Sequence, residues 1–375
     1  MTFPVLLLAL LAFAIACPAT WAIIRLSRRL GALDTEPIPG QQKMTRRAIP
    51  NTGGIAIVLG FALPMVLGVA AVGLAPGVVT GAVPALAEHI EGIAEVIPDA
   101  AVLLLALLCL HALGLADDRR PLGPMVKLGV MLGLSLVVIL LTDTRLLMLL
   151  DGHVGGAWLS IVLTVLWFGV VINAMNFMDN MDGLAGGTAA VASAFFLAAA
   201  LINGQWFIAA CLALLLGACL GFLVWNFAPA KVFMGDGGSL ALGFMLAFLT
   251  TRTTYYDPAS AGGWYAVFMP LLVLAVPLYD FASVTLIRIS QGKSPFVGDL
   301  QHFSHRLHRR GLSVRQTALV VYGATAITGV GGIALASLQP WQAVLIGLQT
   351  LLVLGVIALF EFASASPQSK RQSEP

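Results

Sequence analysis

The feature that most constrains this chain is a near-continuous series of apolar runs, each about as long as a bilayer is thick, divided by short polar breaks. The run "FPVLLLALLAFAIACPATWAII" opens the series, and "WLSIVLTVLWFGVVI" is typical of it. A helix needs roughly 20 apolar residues to cross the hydrocarbon core, and helices close all their backbone hydrogen bonds internally. Such runs fill the 375 residues so nearly that no soluble domain fits. The composition is 59% hydrophobic and 10% charged, whereas soluble domains are about 45–50% apolar and about 25% charged. The expected fold is all-α, a polytopic membrane helix bundle of one domain over residues 1–363. The last residues, 364–375, read "SASPQSKRQSEP", a disordered cytoplasmic tail.

Eleven spans are predicted, near residues 3–24, 53–75, 100–116, 125–142, 157–175, 184–202, 207–225, 239–254, 264–287, 316–338 and 341–362. The first lacks a basic leader and is too long for a signal core, so it reads as a span. Eleven spans place every Lys and Arg except Arg145 and Arg252 on one side. Positive residues in short loops mark the cytoplasmic side, which predicts an external N-terminus and a cytoplasmic C-terminus. The external segment 76–100 spaces Glu88, Glu91 and Glu95 opposite Ile90, Ile93 and Ile97, an amphipathic interfacial helix with a solvated acidic face. Cys17, Cys109, Cys211 and Cys219 form no CxxC pair and read as small buried hydrophobes.

Four polar segments follow spans 3, 5, 7 and 9: "DDRRPLGPMVK", "NAMNFMDNMDG", "NFAPAKVFMGDGGS" and "GKSPFVGDLQHFSHRLHRRG". All fall on the cytoplasmic side, where they gather Asp117, Asp118, Asp179, Asp182, Asp236, Asp299, His302 and His305. Any one aspartate beside a glycine could be a cap or a turn former. Their collection on one face, with no comparable motif on the other, points to a site. Carboxylates and asparagines without cysteine suit a hard cation such as Mg²⁺, with Mn²⁺ as an alternative, and leave positions for phosphate oxygens. Lys and Arg nearby would neutralise further phosphate charge. The chemistry expected is transfer between a soluble phosphorylated donor and a lipid acceptor at the inner membrane surface, with no nucleic-acid partner. His111, inside span 3, reads as a packed or hydrogen-bonded residue.

These segments, with "RRAIPNTGGIAI" before and "PLYDFASVTLIRISQGKSPFVGD" within the series, resemble in order and spacing the polyprenyl-phosphate N-acetylhexosamine-1-phosphate transferases. The resemblance covers residues 30–313. It implies an Mg²⁺-dependent reaction in which undecaprenyl phosphate attacks the β-phosphorus of a UDP-N-acetylhexosamine, most simply UDP-GlcNAc, and releases UMP. By motif, Asp117, Asp118 and Asp236 would be catalytic, with Asp236 and Asp182 near the cation. Lys127, Asn173, Asn176, Asp179, Asp182, His302 and His305 would serve substrate binding; Arg306, outside the motif match, would supply substitute charge for substrate, and Asp280, a charge inside span 9, would line the lipid-phosphate groove. Since a phosphate monoester is largely dianionic at neutral pH, Asp117 is expected to position rather than deprotonate. The loop departs from the family pattern D-R-x-H-x-H-H, with Leu300 for the arginine and Ser304 for the middle histidine. The alternatives are the related phospho-N-acetylmuramoyl-pentapeptide transferases, whose triple histidine this loop lacks, and a transporter. A one-step or phospho-enzyme route and the oligomeric state, a homodimer included, stay open at this level.

Overall fold

The structure, a computed structural model, describes residues 1–31, 49–256, 263–294 and 301–362. Asp299, Leu300, the basic residues Lys43, Arg46 and Arg47, and the 364–375 tail lie outside the described residues. The helices that matter are α1 (Thr2–Arg29), α2 (Gly54–Leu74), α3 (Ile97–Arg119), α4 (Pro124–Thr142) and α5 (Trp158–Met178). They continue with α6 (Leu184–Ile202), α7 (Trp206–Asn226), α8 (Asp236–Arg252) and α9 (Ala275–Ser290). The series ends with α10 (Phe303–Arg309), α11 (Val314–Ala334) and α12 (Pro340–Phe362).

Nine helices among the described residues are long and apolar enough to cross a membrane, and a tenth span is broken. That span, expected as one helix over 264–287, bends by 65° between Trp264–Val273 and Ala275–Ser290. Pro277 explains the position of the break, because its ring displaces the carbonyl four residues earlier, that of Val273. The remaining helix, α8, has 17 residues, about 26 Å of rise. Its two ends meet opposite ends of α3, so it runs the height of the bundle, and the protein is a multi-pass membrane protein.

Helix α8 is the axis of the molecule. Every residue from Gly237 to Thr251 is buried, because α2, α3 and α5 pack around it while α1 and α6 enclose the neighbouring α7. Two glycines set how closely these helices approach. A Cβ on Gly114 of α3 would lie 2.4 Å from the Asp236 carbonyl carbon, and one on Gly54 of α2 would lie 2.3 Å from Gly238 Cα. Small residues at such contacts are how membrane helices pack tightly without a hydrophobic driving force.

Three expectations are corrected. The external segment 76–100 is not one interfacial helix. Pro84 and Pro98 punctuate it into Pro76–Ala82, Pro84–His89 and Ile90–Glu95, after which α3 begins. Glu88, Glu91 and Glu95 are solvent-exposed as expected. Helix α3 runs one turn past the predicted end at 116, so Asp117 and Asp118 sit inside its last turn. Of the cysteines, Cys211 and Cys219 are buried, Cys17 is half-buried, and Cys109 is exposed on the apolar exterior.

Candidate active site

The polar site forms where the C-terminal ends of α3 and α5 meet the N-terminal ends of α4 and α8. Asp236 is the first residue of α8, and its backbone arrives there through Gly235 at φ +73°. That left-handed conformation favours glycine, and a Cβ at this position would also come within 2.6 Å of Asp118 Oδ2. The segment before α2 fixes the approach: Gly53 and Gly54 N–H donate to the carbonyls of Phe233 and Met234 at 2.9 Å, and Phe233 N–H donates to Pro50 O at 2.8 Å.

Asp117 and Asp118 are adjacent but do different work. Asp118 caps α8: its Oδ1 accepts from Asp236 N–H at 3.0 Å and its Oδ2 from Gly237 N–H at 3.2 Å. Asn51 Nδ2 donates to the same Oδ1 at 3.0 Å. Those amides are orphaned by helix geometry, and a carboxylate facing the positive end of the helix dipole satisfies them. Asp117 instead accepts from Leu122 N–H at 2.7 Å and from Lys127 Nζ at 2.8 Å. Lys127 reaches across to donate to Asp236 Oδ2 at 2.5 Å, while Asn176 Nδ2 donates to Asp236 Oδ1 and to Ser239 Oγ, each at 2.9 Å. One hydrogen-bonded network therefore joins the consecutive helices α3 and α4 to α5 and α8, which are distant in sequence.

Asp179 ends α5 beside this network. Withdrawal from water pushes its carboxyl well above the ordinary carboxylate range, and the charges of Asp236 and Asp118 push it further against a backbone hydrogen bond at Gly235. Crowded carboxylates of this kind create a demand for positive charge. Asp182 faces the connection after α7, where its Oδ2 accepts from Ala230 N–H at 2.9 Å. Asn173 donates to Gly169 O in its own helix at 2.7 Å. Among the described residues no three His, Cys, Asp or Glu side chains form a ready metal cage. His111, as expected, is hydrogen-bonded, 2.8 Å from Gly237 O through Nδ1.

The histidine segment folds as α10 against the end of α5. His302 sits at its N-cap with its ring edge-on to Phe177, centroids 5.2 Å apart. Asp280 lies deeper than a groove-lining residue. It is fully buried, accepting from Phe303 N–H at 2.8 Å and lying 2.9 Å from His302 Nδ1, so its contacts in this structure hold the histidine helix. Ser304, in place of the family's middle histidine, donates to Asn180 Oδ1 at 2.5 Å and ties α10 to the loop after Asp179. His305 is buried, and among the described residues nothing hydrogen-bonds its Nδ1. Burial, aided by the neighbouring His302, pushes it down to about 4, so it is neutral at pH 7. Arg306, expected to serve substrate binding, is buried against Glu361 of α12.

Sequence reasoning did not single out Asn51, Asn180, Ser239, Glu361 or Arg288, whose guanidinium lies 5.3 Å from the Phe177 ring centroid. Asn51, Asn180, Ser239 and Arg288 each stood within a quoted motif, and Glu361 is the sole acid of the last apolar run; those were the available signals.

The family model described as glycosyl transferase family 4 matches residues 100–254, from α3 through α8. The "Probable undecaprenyl-phosphate N-acetylglucosaminyl 1-phosphate transferase" of Bacillus subtilis is 30% identical over 337 residues, covering 89% of this chain and 86% of that protein. The "Decaprenyl-phosphate N-acetylglucosaminephosphotransferase" of Mycobacterium tuberculosis is 32% identical over 378 residues, covering 94% and 88%. The "Undecaprenyl-phosphate alpha-N-acetylglucosaminyl 1-phosphate transferase" of Escherichia coli K12 is 28% identical, covering 64% of this chain and 66% of that protein. The matched segment holds Asp117, Asp118, Lys127, Asn176, Asp179 and Asp236, the residues that converge on the N-terminus of α8, together with Asp182, and with similarity sustained over nearly the whole bundle this chain belongs to glycosyl transferase family 4.

Proposed function

We propose that the protein transfers GlcNAc-1-phosphate from UDP-GlcNAc to undecaprenyl phosphate at the cytoplasmic face of the inner membrane, releasing UMP. The observation that carries this reading is the Asp117–Lys127–Asp236–Asn176 network at one end of the bundle, in a chain similar to polyprenyl-phosphate N-acetylglucosamine-1-phosphate transferases. The basic residues of the adjoining loops, Arg119, Arg120 and Lys231 among them, support the cytoplasmic side for the site, and with it an external N-terminus and a cytoplasmic C-terminus.

In the transfer, an oxygen of the lipid phosphate bonds to the β-phosphorus of the donor as the bond to the bridging α–β oxygen breaks, and that oxygen leaves with UMP. Both reactants are anionic, so bringing them together requires fixed positive charge. Lys127 supplies one unit, held between Asp117 and Asp236. Asp117 has both oxygens engaged by Leu122 N–H and Lys127, which suits positioning rather than proton abstraction. Asp118 holds Asp236 in place through the α8 backbone.

The donor set fits Mg²⁺, which takes one or two carboxylates and keeps its other positions for water and phosphate. Asp236 and Asp179 are the carboxylates that would hold it, with Asp182 displaced toward the Ala230 turn. When bound, Mg²⁺ would neutralise charge on the diphosphate and on departing UMP.

Purified protein incubated with undecaprenyl phosphate, Mg²⁺ and a panel of radiolabelled UDP-sugars tests this reading. UMP release with an organic-extractable label, greatest for UDP-GlcNAc, is expected. No extractable label with any UDP-N-acetylhexosamine would overturn the reading.

A further inference from the structure

Helix α12 is the outlier of the bundle. Among its described side chains only Thr350, Ile357 and Glu361 are buried, and with spacings of seven and four they lie on one helical face. A helix so little enclosed has scant packing to hold it, yet one of its three buried side chains is a carboxylate, 3% exposed, at a position costly for a charge. That carboxylate meets the histidine helix. Glu361 Oε2 accepts from Arg306 Nε at 2.9 Å, lies 2.8 Å from Arg306 Nη2, and accepts from Tyr279 OH at 3.1 Å. The Glu361 carbonyl accepts from Arg310 Nε at 3.1 Å and Nη2 at 2.8 Å. Two arginines one turn apart, Arg306 in α10 and Arg310 at its C-cap, thus close on one residue of α12.

Arg306 carries the link inward. Its Nη2 donates to Ser283 Oγ of α9 at 3.0 Å, and its Nη1 donates to the Gln301 carbonyl immediately before His302. Asp280, one turn before Ser283, holds His302 and the Phe303 N–H. Helix α10 has seven residues, too few to hold its own shape in water, so its geometry is imposed from outside: by Asp280 on one side, by Ser304 on Asn180 on another, and by Glu361 on the third.

We propose that Glu361 is a positioning residue for the transferase site. By pairing with Arg306 and Arg310, the terminal helix fixes α10 and with it the placement of His302 and His305 beside the Asp179 loop. The buried pair also removes the Arg306 charge from substrate, so the donor is met by the histidines rather than by that guanidinium. This rests on the transferase reading above, with α10 on the nucleotide-sugar side of the site.

The test uses the full-length protein in lipid nanodiscs, with Glu361→Gln, Glu361→Asp and the exchange Arg306→Glu/Glu361→Arg. Initial rates against UDP-GlcNAc and against undecaprenyl phosphate give the two KM values and kcat. Hydrogen exchange over residues 301–312 reports α10 directly and does not depend on turnover. For Glu361→Gln the expected result is exchange at least tenfold faster in that segment and a KM for UDP-GlcNAc raised about tenfold, with KM for the lipid and kcat within threefold of wild type. Glu361→Asp or the exchange should recover at least part of both effects. Unchanged exchange across 301–312 in Glu361→Gln would overturn the proposal. So would equal loss in both KM values and kcat without recovery, the pattern of general destabilisation. If wild type released no UMP the transferase reading would fail, while the exchange data would still decide whether Glu361 holds α10.

Discussion

At its C-terminal end α8 closes on Arg252, which pairs with Asp99 at the start of α3 and donates to Thr142 O at the end of α4 at 2.8 Å. Nearby, Arg145 pairs with Asp143 at 2.7 Å and with Asp151. At this end two arginines hold three carboxylates, each of the three aspartates directly paired with an arginine. At the N-terminal end, Asp117, Asp118, Asp179 and Asp236 gather around Lys127. An end whose carboxylates are each paired with an arginine has a structural role, whereas an end where four carboxylates share one lysine is prepared to receive a cation.

The largest expected effect follows from exchanging one carboxylate at each end. Asp236→Asn should lower turnover about 10³-fold by removing charge at the phosphoryl site, while Asp99→Asn should lower the thermal midpoint and leave turnover within about threefold. UMP release and thermal unfolding of the two variants in parallel check this, and a greater loss of turnover from Asp99→Asn would break the comparison. Next in size, Lys127→Gln should reduce kcat about 10²-fold, and Arg252→Gln should not. The same rate assay separates them.

Asp118→Ala sharpens the distinction between the paired aspartates. Loss of the α8 cap should cost about 1 kcal/mol of stability, readable as a lower unfolding midpoint, whereas Asp117→Asn should leave that midpoint nearer wild type. The smallest effect concerns His305. A histidine in an unfolded chain titrates near 6.5 and His305 only near 4. Between those values the unfolded form binds a proton that the folded form does not, so stability falls as pH drops from 6.5 toward 4. His305→Gln should flatten that part of the pH–stability curve, measured by thermal unfolding, and an unchanged slope would contradict the assignment.

The fold was legible because its signal is repeated and redundant. Apolar runs announce spans one by one, and the basic residues between them supply an independent check on the count. The break at Val273 was less so, since Pro277 allows a kink without fixing its angle. The gathering of Asp117, Lys127, Asn176 and Asp236 could be read from which loops share a face, because the spans constrain where each loop emerges. Pairwise roles could not. Asp117 and Asp118 are identical in type and adjacent, and only the register of α3 against α8 makes one a partner of Lys127 and the other a helix cap. Asp280 and Arg306 read as substrate residues because charge near a span signals function, but that signal does not distinguish contact with substrate from support of a residue that makes it.

The most direct test of the central claim is an experimental structure of the protein in a lipid nanodisc with UDP-GlcNAc and Mg²⁺. The account predicts the diphosphate against the N-terminus of α8, between Lys127 and Asp179, with the cation on Asp236. A diphosphate seated instead at the Asp99–Arg252 end would contradict it.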